Sequence, residues 1–342
     1  MFIFKILLLN IGLILINCIT WNEGPDGPWS MGCDFNGNDL TNQRSKGEEC
    51  SGRCKSTPSC THYTWTNYEG GTCWMKSNGA SKSQAIQKEN ENIVCGILTS
   101  PNSNQVEFIT INNCPYNIWV GMQGRVHSNP NWMVPSNGGW ELNSGQTKSV
   151  SVPKDFYAGR LWARTNCNYN NGQFRCETGD CGPWVECANG GIQRGGQTPA
   201  TLAEFTLNGA GDQDYYDVSL VDGYNLKMTI EVTSTSASGN GQYWCKNPAC
   251  LKDLNSICPQ ELKKSNSNGQ VIGCLSACEK FRTDEYCCRG AFGTPQTCKS
   301  SNWPVNYPAI FKQACPSAYS YAYDDSTSTF FCRNTNYKII FC

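Results

Sequence analysis

From residue 106 onward, apolar and polar residues alternate in short runs that are separated by turn residues. This alternation predicts half-buried β-strands, because successive side chains of a strand point to opposite faces of the sheet. Many short strands with no helical periods between them indicate an antiparallel sandwich or barrel. The predicted strands are 106–111, 148–152, 160–165, 202–207, 215–220, 227–232 and 337–341.

The alternating pattern breaks between Cys245 and Cys315, where cysteines are dense and loops dominate. One helix is expected here, over residues 271–281, with Cys274 and Cys278 on one face because residues four apart neighbour each other on a helix. This subregion has few apolar runs, so disulfides must hold it together more than a core does.

The first residues form an apolar run, 6–16, behind the basic Lys5. The run is about half the ~20 residues that a spanning helix needs, so a secretory signal peptide over residues 1–20 is predicted, with a membrane anchor as the alternative. Cleavage is expected after Cys18 or Thr20. The remaining protein is then secreted, extracellular and without a membrane span.

The chain has 23 cysteines among its 342 residues, a content that suits an oxidising compartment. Removing Cys18 with the signal peptide leaves an even number that can pair completely. Metal binding is disfavoured by the absence of any Cys-x-x-Cys pair and by a histidine count of two, His62 and His127. No metal and no cofactor are expected. The formal net charge of −1 implies no basic face for nucleic acid.

The cysteines divide the chain into two modules. Six lie between Cys33 and Cys95 and sixteen between Cys114 and Cys342, and the polar segment between the groups has nothing to bury. The expected organisation is a module at 21–98, a linker at 99–105 and a larger module at 106–342. We expect the protein to be a monomer.

The smaller module combines a helix at Cys50-x-x-x-Cys54 with a β-hairpin formed by residues 61–66 and 72–76. Its Gly32-Cys33-Asp34-Phe35, Cys60-Thr61-His62-Tyr63-Thr64-Trp65 and Gly71-Thr72-Cys73-Trp74 motifs resemble those of the PAN/apple modules. The resemblance implies a small α+β fold that binds proteins or carbohydrates and is not an enzyme. It also implies three disulfides, namely Cys33–Cys95, Cys50–Cys73 and Cys54–Cys60.

The larger module carries Gly172-Gln173-Phe174-Arg175-Cys176-Glu177-Thr178-Gly179-Asp180-Cys181-Gly182 and, further on, Glu285-Tyr286-Cys287-Cys288. These segments resemble the signature of the thaumatin-like proteins. The resemblance implies a mainly β fold, an antiparallel β-sandwich with disulfide-rich loop and helix subdomains. It also implies eight disulfides: Cys114–Cys342, Cys167–Cys176, Cys181–Cys187, Cys245–Cys332, Cys250–Cys315, Cys258–Cys274, Cys278–Cys287 and Cys288–Cys298.

The same resemblance implies an acidic cleft lined by one arginine and four acids. The matching residues are Arg160, Glu204, Asp217, Asp222 and Asp325. Clustered carboxyl groups raise the pKa of at least one member, and glycoside hydrolysis needs one protonated acid beside one carboxylate. Glu204 matches the family's proton donor, and its partner is Asp222 or, as the second choice, Asp217. Arg160 would keep a neighbouring carboxylate ionised, and Asp325 would add negative potential.

Two interpretations of these five residues involve no catalysis and stay open. One is a satisfied salt-bridge network around Arg160, and the other is a bound cation such as calcium. The function that the resemblance implies is a secreted, antifungal defence protein. It would bind the β-1,3-glucan of fungal walls, with weak endo-β-1,3-glucanase activity as a further candidate. The alternative is a protein-interaction molecule, such as an inhibitor of a foreign hydrolase. In either case the PAN/apple-like module would contact a protein partner or the wall.

Overall fold

The computed structural model describes residues 19–24, 26–57, 59–89, 92–98, 105–233 and 239–342. The chain divides into two compact units, residues 1–103 and 104–342. The predicted signal peptide, apart from its last two residues, and the predicted linker, apart from Gln105, lie outside the described residues. Each unit is described by itself.

The first unit is a small α+β fold with one helix, α1 (Cys50–Ser56). Short 3₁₀ turns lie at Gly47–Glu49, Tyr68–Gly70 and Lys82–Gln84. The strands are β1 (Asn22–Gly24), β2 (Gly27–Met31), β3 (Cys33–Asp34), β4 (Asp39–Arg44), β5 (His62–Thr66), β6 (Thr72–Lys76), β7 (Ile86–Gln87) and β8 (Val94–Ile97).

Six of these strands form one sheet in the order β1-β2-β8-β5-β6-β4, while β3 pairs with β7. The predicted hairpin is β5 and β6, and the predicted helix is α1. The core behind the sheet is small, and cysteine side chains supply much of it beside Tyr63, Met75 and Leu98. A core of this size needs disulfide staples to stand. The pairs are Cys33–Cys95, Cys50–Cys73 and Cys54–Cys60, the same three that the resemblance implies.

The second unit contains fourteen strands among its described residues, with three short helices, α2 (Ala277–Phe281), α3 (Tyr307–Ala314) and α4 (Asp325–Ser328). Short 3₁₀ turns lie at Pro135–Gly138, Asn189–Gly191, Leu254–Ile257, Gln260–Leu262, Gly290–Phe292 and Ser300–Asn302. The strands are β9 (Gln105–Asn112), β10 (Ile118–Val126), β11 (Gly139–Leu142), β12 (Thr147–Pro153), β13 (Phe156–Asn170), β14 (Gln173–Thr178), β15 (Leu202–Thr206), β16 (Asp214–Ser219), β17 (Met228–Val232), β18 (Ala249–Cys250), β19 (Lys263–Ser265), β20 (Val271–Cys274), β21 (Phe330–Cys332) and β22 (Tyr337–Phe341).

Two sheets pack face to face in this unit. The first has the order β11-β10-β13-β15-β16-β21, with β14 joined to β13, and the second has the order β12-β9-β22-β17-β18. Phe108 of the second sheet lies 4.5 Å, between ring centroids, from Phe205 of the first. The predicted mainly β sandwich is therefore confirmed. Its pairings are antiparallel except between β22 and β9, which run parallel.

The pattern-based strand predictions are confirmed, but β10 and several shorter strands were missed. The alternation in β10 is diluted by Gly121 and Gly124, which carry no side chain to signal a face. These glycines make room for large neighbours, since an added Cβ would lie 2.3 Å from Trp162 at Gly121 and 2.1 Å from Phe156 at Gly124.

The helix predicted over residues 271–281 is wrong in its first half. Residues Val271–Cys274 form β20, which pairs with β19. The helix begins only after Ser276, whose Oγ accepts a hydrogen bond from the backbone N–H of Glu279 at 3.2 Å. A serine in this position satisfies an N–H group that the first helical turn leaves without a partner, so it fixes the start of α2.

Disulfides join all sixteen cysteines of the second unit, in the pairs that the resemblance implies. The Cys114–Cys342 bridge ties the start of the unit to its last residue, 228 positions later. The others are Cys167–Cys176, Cys181–Cys187, Cys245–Cys332, Cys250–Cys315, Cys258–Cys274, Cys278–Cys287 and Cys288–Cys298.

Candidate functional site

A row of four polar residues crosses the first sheet of the second unit. Gln123 lies opposite Arg160, Arg160 opposite Glu204, and Glu204 opposite Asp217, on the neighbouring strands β10, β13, β15 and β16. Directly opposed residues have Cβ atoms about 4.5–5.5 Å apart. Because side chains alternate along a strand, the row faces away from the core that Ala203 helps to fill.

Arg160 joins two of the acids. Its Nε lies 2.8 Å from Glu204 Oε1, and its Nη1 lies 3.8 Å from Asp222 Oδ2, in the turn that follows β16. These guanidinium nitrogens are about 2.3 Å apart in the planar group. The carboxyl oxygens of Glu204 and Asp222 are therefore at most about 9 Å apart. Distances below this limit include those found between the carboxyl groups of retaining and of inverting glycosidases.

Two carboxyl groups of the site have a raised pKa. Burial is the main cause of the increase at Asp217, and the charges of Glu204 and Asp325 add to it against the opposing effect of Arg160. Oδ1 of Asp217 is buried and has no hydrogen-bond partner in the described structure. Burial also raises the pKa of Asp222, while Arg160 partly offsets the increase. Asp217 is thus the acid that this environment most favours in its protonated form.

These residues line an open cleft of about 480 Å³. Of the five predicted cleft residues, Arg160, Glu204, Asp217 and Asp222 lie in its wall. Asp325, the first residue of α4, is not among the lining residues of the cleft. Its Oδ1 accepts a hydrogen bond at 2.9 Å from the hydroxyl of Tyr319, and the Tyr319 side chain does line the cleft.

Gln123 and Ala158 are among the lining residues that sequence reasoning missed. Gln123 belongs to the strand whose alternation the glycines dilute, so its position opposite Arg160 carried no signal. Tyr215 and Tyr319 also line the cleft, whereas Tyr216 is buried in the core.

Among the residues that the structure describes, no group of three or more His, Cys, Asp or Glu side chains is arranged to hold a metal ion. No helix of that part of the chain has both the length and the apolar character needed to cross a bilayer.

The first unit has a cleft of its own, of about 510 Å³. Gly96 lies between Trp29 and Tyr63 in one row of the sheet. The Tyr63 ring occupies the space that a side chain at Gly96 would need, since an added Cβ would lie 2.4 Å from it. Trp65 and the exposed Glu48 also line this cleft, whose wall is mainly apolar and includes two acidic residues, Asp26 and Glu48.

The architecture and the site define the class of protein: a disulfide-stapled β-sandwich with an acidic cleft, preceded by a small disulfide-stapled α+β module. The model of the thaumatin family matches residues 112–342, and the model of the PAN domain matches residues 33–76. The chain therefore belongs to the thaumatin family and carries a PAN domain, as the sequence motifs predicted.

Several plant proteins are similar to the second unit. Pathogenesis-related protein 5 of Arabidopsis thaliana is 48% identical over 238 residues, which cover 69% of this chain and 90% of that protein. A protein of Prunus avium named glucan endo-1,3-beta-glucosidase is 45% identical over 233 residues, 68% of this chain and 88% of that protein.

Among solved structures, a laminaripentaose-producing beta-1,3-glucanase in complex with laminaritetraose matches 69% of this chain and 98% of its own. The identity is 12% and the TM-score is 0.48, a level of similarity that supports no assignment of activity.

Proposed function

We propose that this chain is a secreted defence protein that binds β-1,3-glucan in its acidic cleft. The observation that carries the proposal is the row of Arg160, Glu204 and Asp217, with Asp222 beside it, in the wall of an open cleft. Carboxylate oxygens accept hydrogen bonds from sugar hydroxyls, while their charge repels anionic polymers. A neutral glucan fits both conditions, and the name of the Prunus avium relative is in line with it.

Weak endo-hydrolysis is the second part of the proposal. Asp217, whose pKa is raised, would donate its proton to the leaving glycosidic oxygen as the bond to the anomeric carbon breaks. Glu204, ion-paired with Arg160, or Asp222 would act as the carboxylate that takes a proton from the attacking water. This assignment exchanges the roles that the resemblance gives to Glu204 and Asp217.

The binding claim is tested by retention on insoluble β-1,3-glucan. Wild type should be retained, and Glu204→Gln and Asp222→Asn should each weaken retention, because each removes a charged acceptor from the cleft. Glu141→Gln is the matched control, since Glu141 is exposed and lies outside the cleft wall. Equal retention of all four proteins, or none by wild type, would contradict the claim.

The hydrolysis claim is tested by the release of reducing ends from a linear β-1,3-glucan. Asp217→Asn should reduce the rate to background, and the wild-type rate should fall as the pH rises through the pKa of Asp217, because the acid must be protonated. If wild type and Asp217→Asn release reducing ends at the same background rate, the cleft binds glucan without cleaving it.

The alternative, an inhibitor of a foreign hydrolase, makes the cleft acids dispensable. Failure of wild type to bind glucan, together with inhibition of an added fungal hydrolase that survives Glu204→Gln, would favour it.

We also infer that the PAN domain adds a second contact, to the wall or to a protein partner. Its cleft carries this inference, because Trp29 and Trp65 present half-exposed aromatic faces beside Glu48. The eleven disulfides of the described residues fit the oxidising, extracellular compartment in which such contacts would form.

A further inference from the structure

A second cavity of the thaumatin-family unit lies beside the acidic cleft. Its volume is about 790 Å³, and Gln123 and Ala158 line both spaces. The two spaces are therefore adjacent, and together they are here called the extended groove, with the acids at one end. None of the site residues predicted from the sequence lines this second cavity.

A β-bulge in β13 lies in the wall of this cavity. Gln123 lies opposite Arg160 and Arg125 lies opposite Tyr157, so Gly124 alone on β10 faces two residues, 158 and 159, on β13. A bulge of this kind bends its strand and re-aims the neighbouring side chains. The backbone at Ala158 has a φ of 48°, in the left-handed region that most side chains avoid.

The bulge also shifts the alternation of β13 by one residue. Phe156 is buried in the core, although strict alternation from Arg160 would place it on the cleft side. Tyr157 instead faces outward and lines the cavity. Glycine at 124 and at 159 permits this arrangement, since an added Cβ would lie 2.1 Å and 2.0 Å from the Phe156 ring.

The cavity differs chemically from the acidic cleft. Tyr157 stacks on His127, with ring centroids 3.9 Å apart and planes within 7° of parallel. Trp132 lies in the same wall, packed edge-on against Phe156. The lining residues include no carboxylate. An aromatic face of this size is suited to the apolar C–H face of a sugar ring.

Amide side chains in the same wall can bind the hydroxyl groups of a sugar. Gln193 Oε1 accepts a hydrogen bond from the backbone N–H of Gly124 at 2.8 Å, which fixes the side chain and leaves its NH₂ group as a donor. Asn129 also lines the cavity. Aromatic faces together with a few oriented polar groups are typical of pockets that bind a specific ligand.

We propose that this cavity is an additional set of sugar subsites, so that the extended groove binds a glucan oligomer and not only the short segment at the acids. The inference rests on the proposed function. Tyr157 is three residues from Arg160 along β13, no more than about 10 Å by strand geometry. An oligomer bound at the acids must therefore exceed a minimum length before it reaches Tyr157.

Calorimetric titration with linear β-1,3-linked glucose oligomers, from the dimer to the octamer, tests the inference. The affinity of wild type should rise with oligomer length until the groove is full. Tyr157→Ala should lower the affinity for the longest oligomers about 5- to 10-fold, the effect of losing one stacking contact, and leave the dimer unaffected. Tyr157→Phe keeps the ring and should restore wild-type affinity for the long oligomers.

Tyr169→Ala is the matched control, because Tyr169 lies on the same strand, is exposed and does not line the groove. It should bind every oligomer as wild type does. Equal affinity of wild type for short and long oligomers, or an equal loss for both in Tyr157→Ala, overturns the inference and leaves glucan binding at the acids intact. Absence of binding for every oligomer overturns the proposed function, and this inference with it.

Discussion

Replacing Asp217 by asparagine tests whether this acidic residue lowers the stability of the folded chain. Asp217 lies directly opposite Glu204, and its Oδ1 is buried without a hydrogen-bond partner in the described structure. Asparagine has nearly the same shape, removes the buried charge and offers an N–H group to Glu204. We therefore expect Asp217→Asn to be more stable than wild type at neutral pH, although it loses the proposed acid.

The size of the effect follows from the unpartnered oxygen. Leaving a buried polar group without a partner costs about 1–3 kcal/mol, so the free energy of unfolding should rise by up to a similar amount at pH values where wild-type Asp217 is ionised. For a unit of this size, each kcal/mol raises Tm by roughly 2–4 °C.

The effect must also depend on pH. The pKa of Asp217 is raised in the folded chain, whereas the unfolded carboxyl titrates near about 4. The folded chain therefore binds this proton more tightly. Its stabilising contribution is complete below about pH 4 and is lost as the pH rises through the folded-state pKa. The advantage of Asp217→Asn should thus grow with pH and nearly vanish at pH 4.

Differential scanning calorimetry of wild type and variant between pH 4 and pH 8 measures this difference. Asp212→Asn is the control, because Asp212 is an exposed acid on the loop before β16. A variant that is less stable than wild type at pH 7, or a difference that is the same at every pH, would refute the reasoning. Either outcome would indicate that the surrounding groups already stabilise the Asp217 carboxylate.

Three other changes have expected outcomes. Replacing Cys114 and Cys342 by serine should lower the free energy of unfolding by up to about 5 kcal/mol in the chain-entropy account, measured by guanidinium titration; a loss below 1 kcal/mol would contradict that account. Gly124→Ala should lower the free energy of unfolding by about 1–3 kcal/mol, because the added methyl group overpacks against Phe156. Thermal melting measures this change, and an unchanged Tm would argue against the packing described at the bulge. Trp29→Ala should reduce retention on whole fungal walls while glucan binding at the acidic cleft persists, and unchanged retention would exclude the PAN cleft as a contact to the wall.

Much of the fold could be predicted because strand alternation and cysteine spacing are local signals. The run that became β9, Gln105–Asn112, alternates at every position between buried and half-buried, and its prediction was correct. The helix that begins at Cys50 was also predicted correctly, from the spacing of Cys50 and Cys54. The start of α2 was not, because Val271–Cys274 is apolar enough for either a helix or a strand, and its pairing with β19 decides the outcome.

The acids of the site could be predicted from the motifs, but which of them has the raised pKa could not. The raised pKa of Asp217 depends on burial and on the register that sets it opposite Glu204, and neither is visible in one strand alone. The second cavity was hidden for a similar reason. It depends on one extra residue in β13 relative to β10, and such a difference appears only when the two strands are paired.

The parallel pairing of β22 with β9 has a consequence for biosynthesis. In the second sheet β22 lies between β9 and β17, so Phe108 meets its partner Tyr337 only after nearly the whole unit has been made. At about 5–20 residues per second, the β9 edge waits on the order of tens of seconds without its neighbour. An unpaired apolar edge can join the wrong strand during that interval. Yield in a heterologous host should therefore depend on how well nascent chains are shielded and oxidised before the last strand arrives.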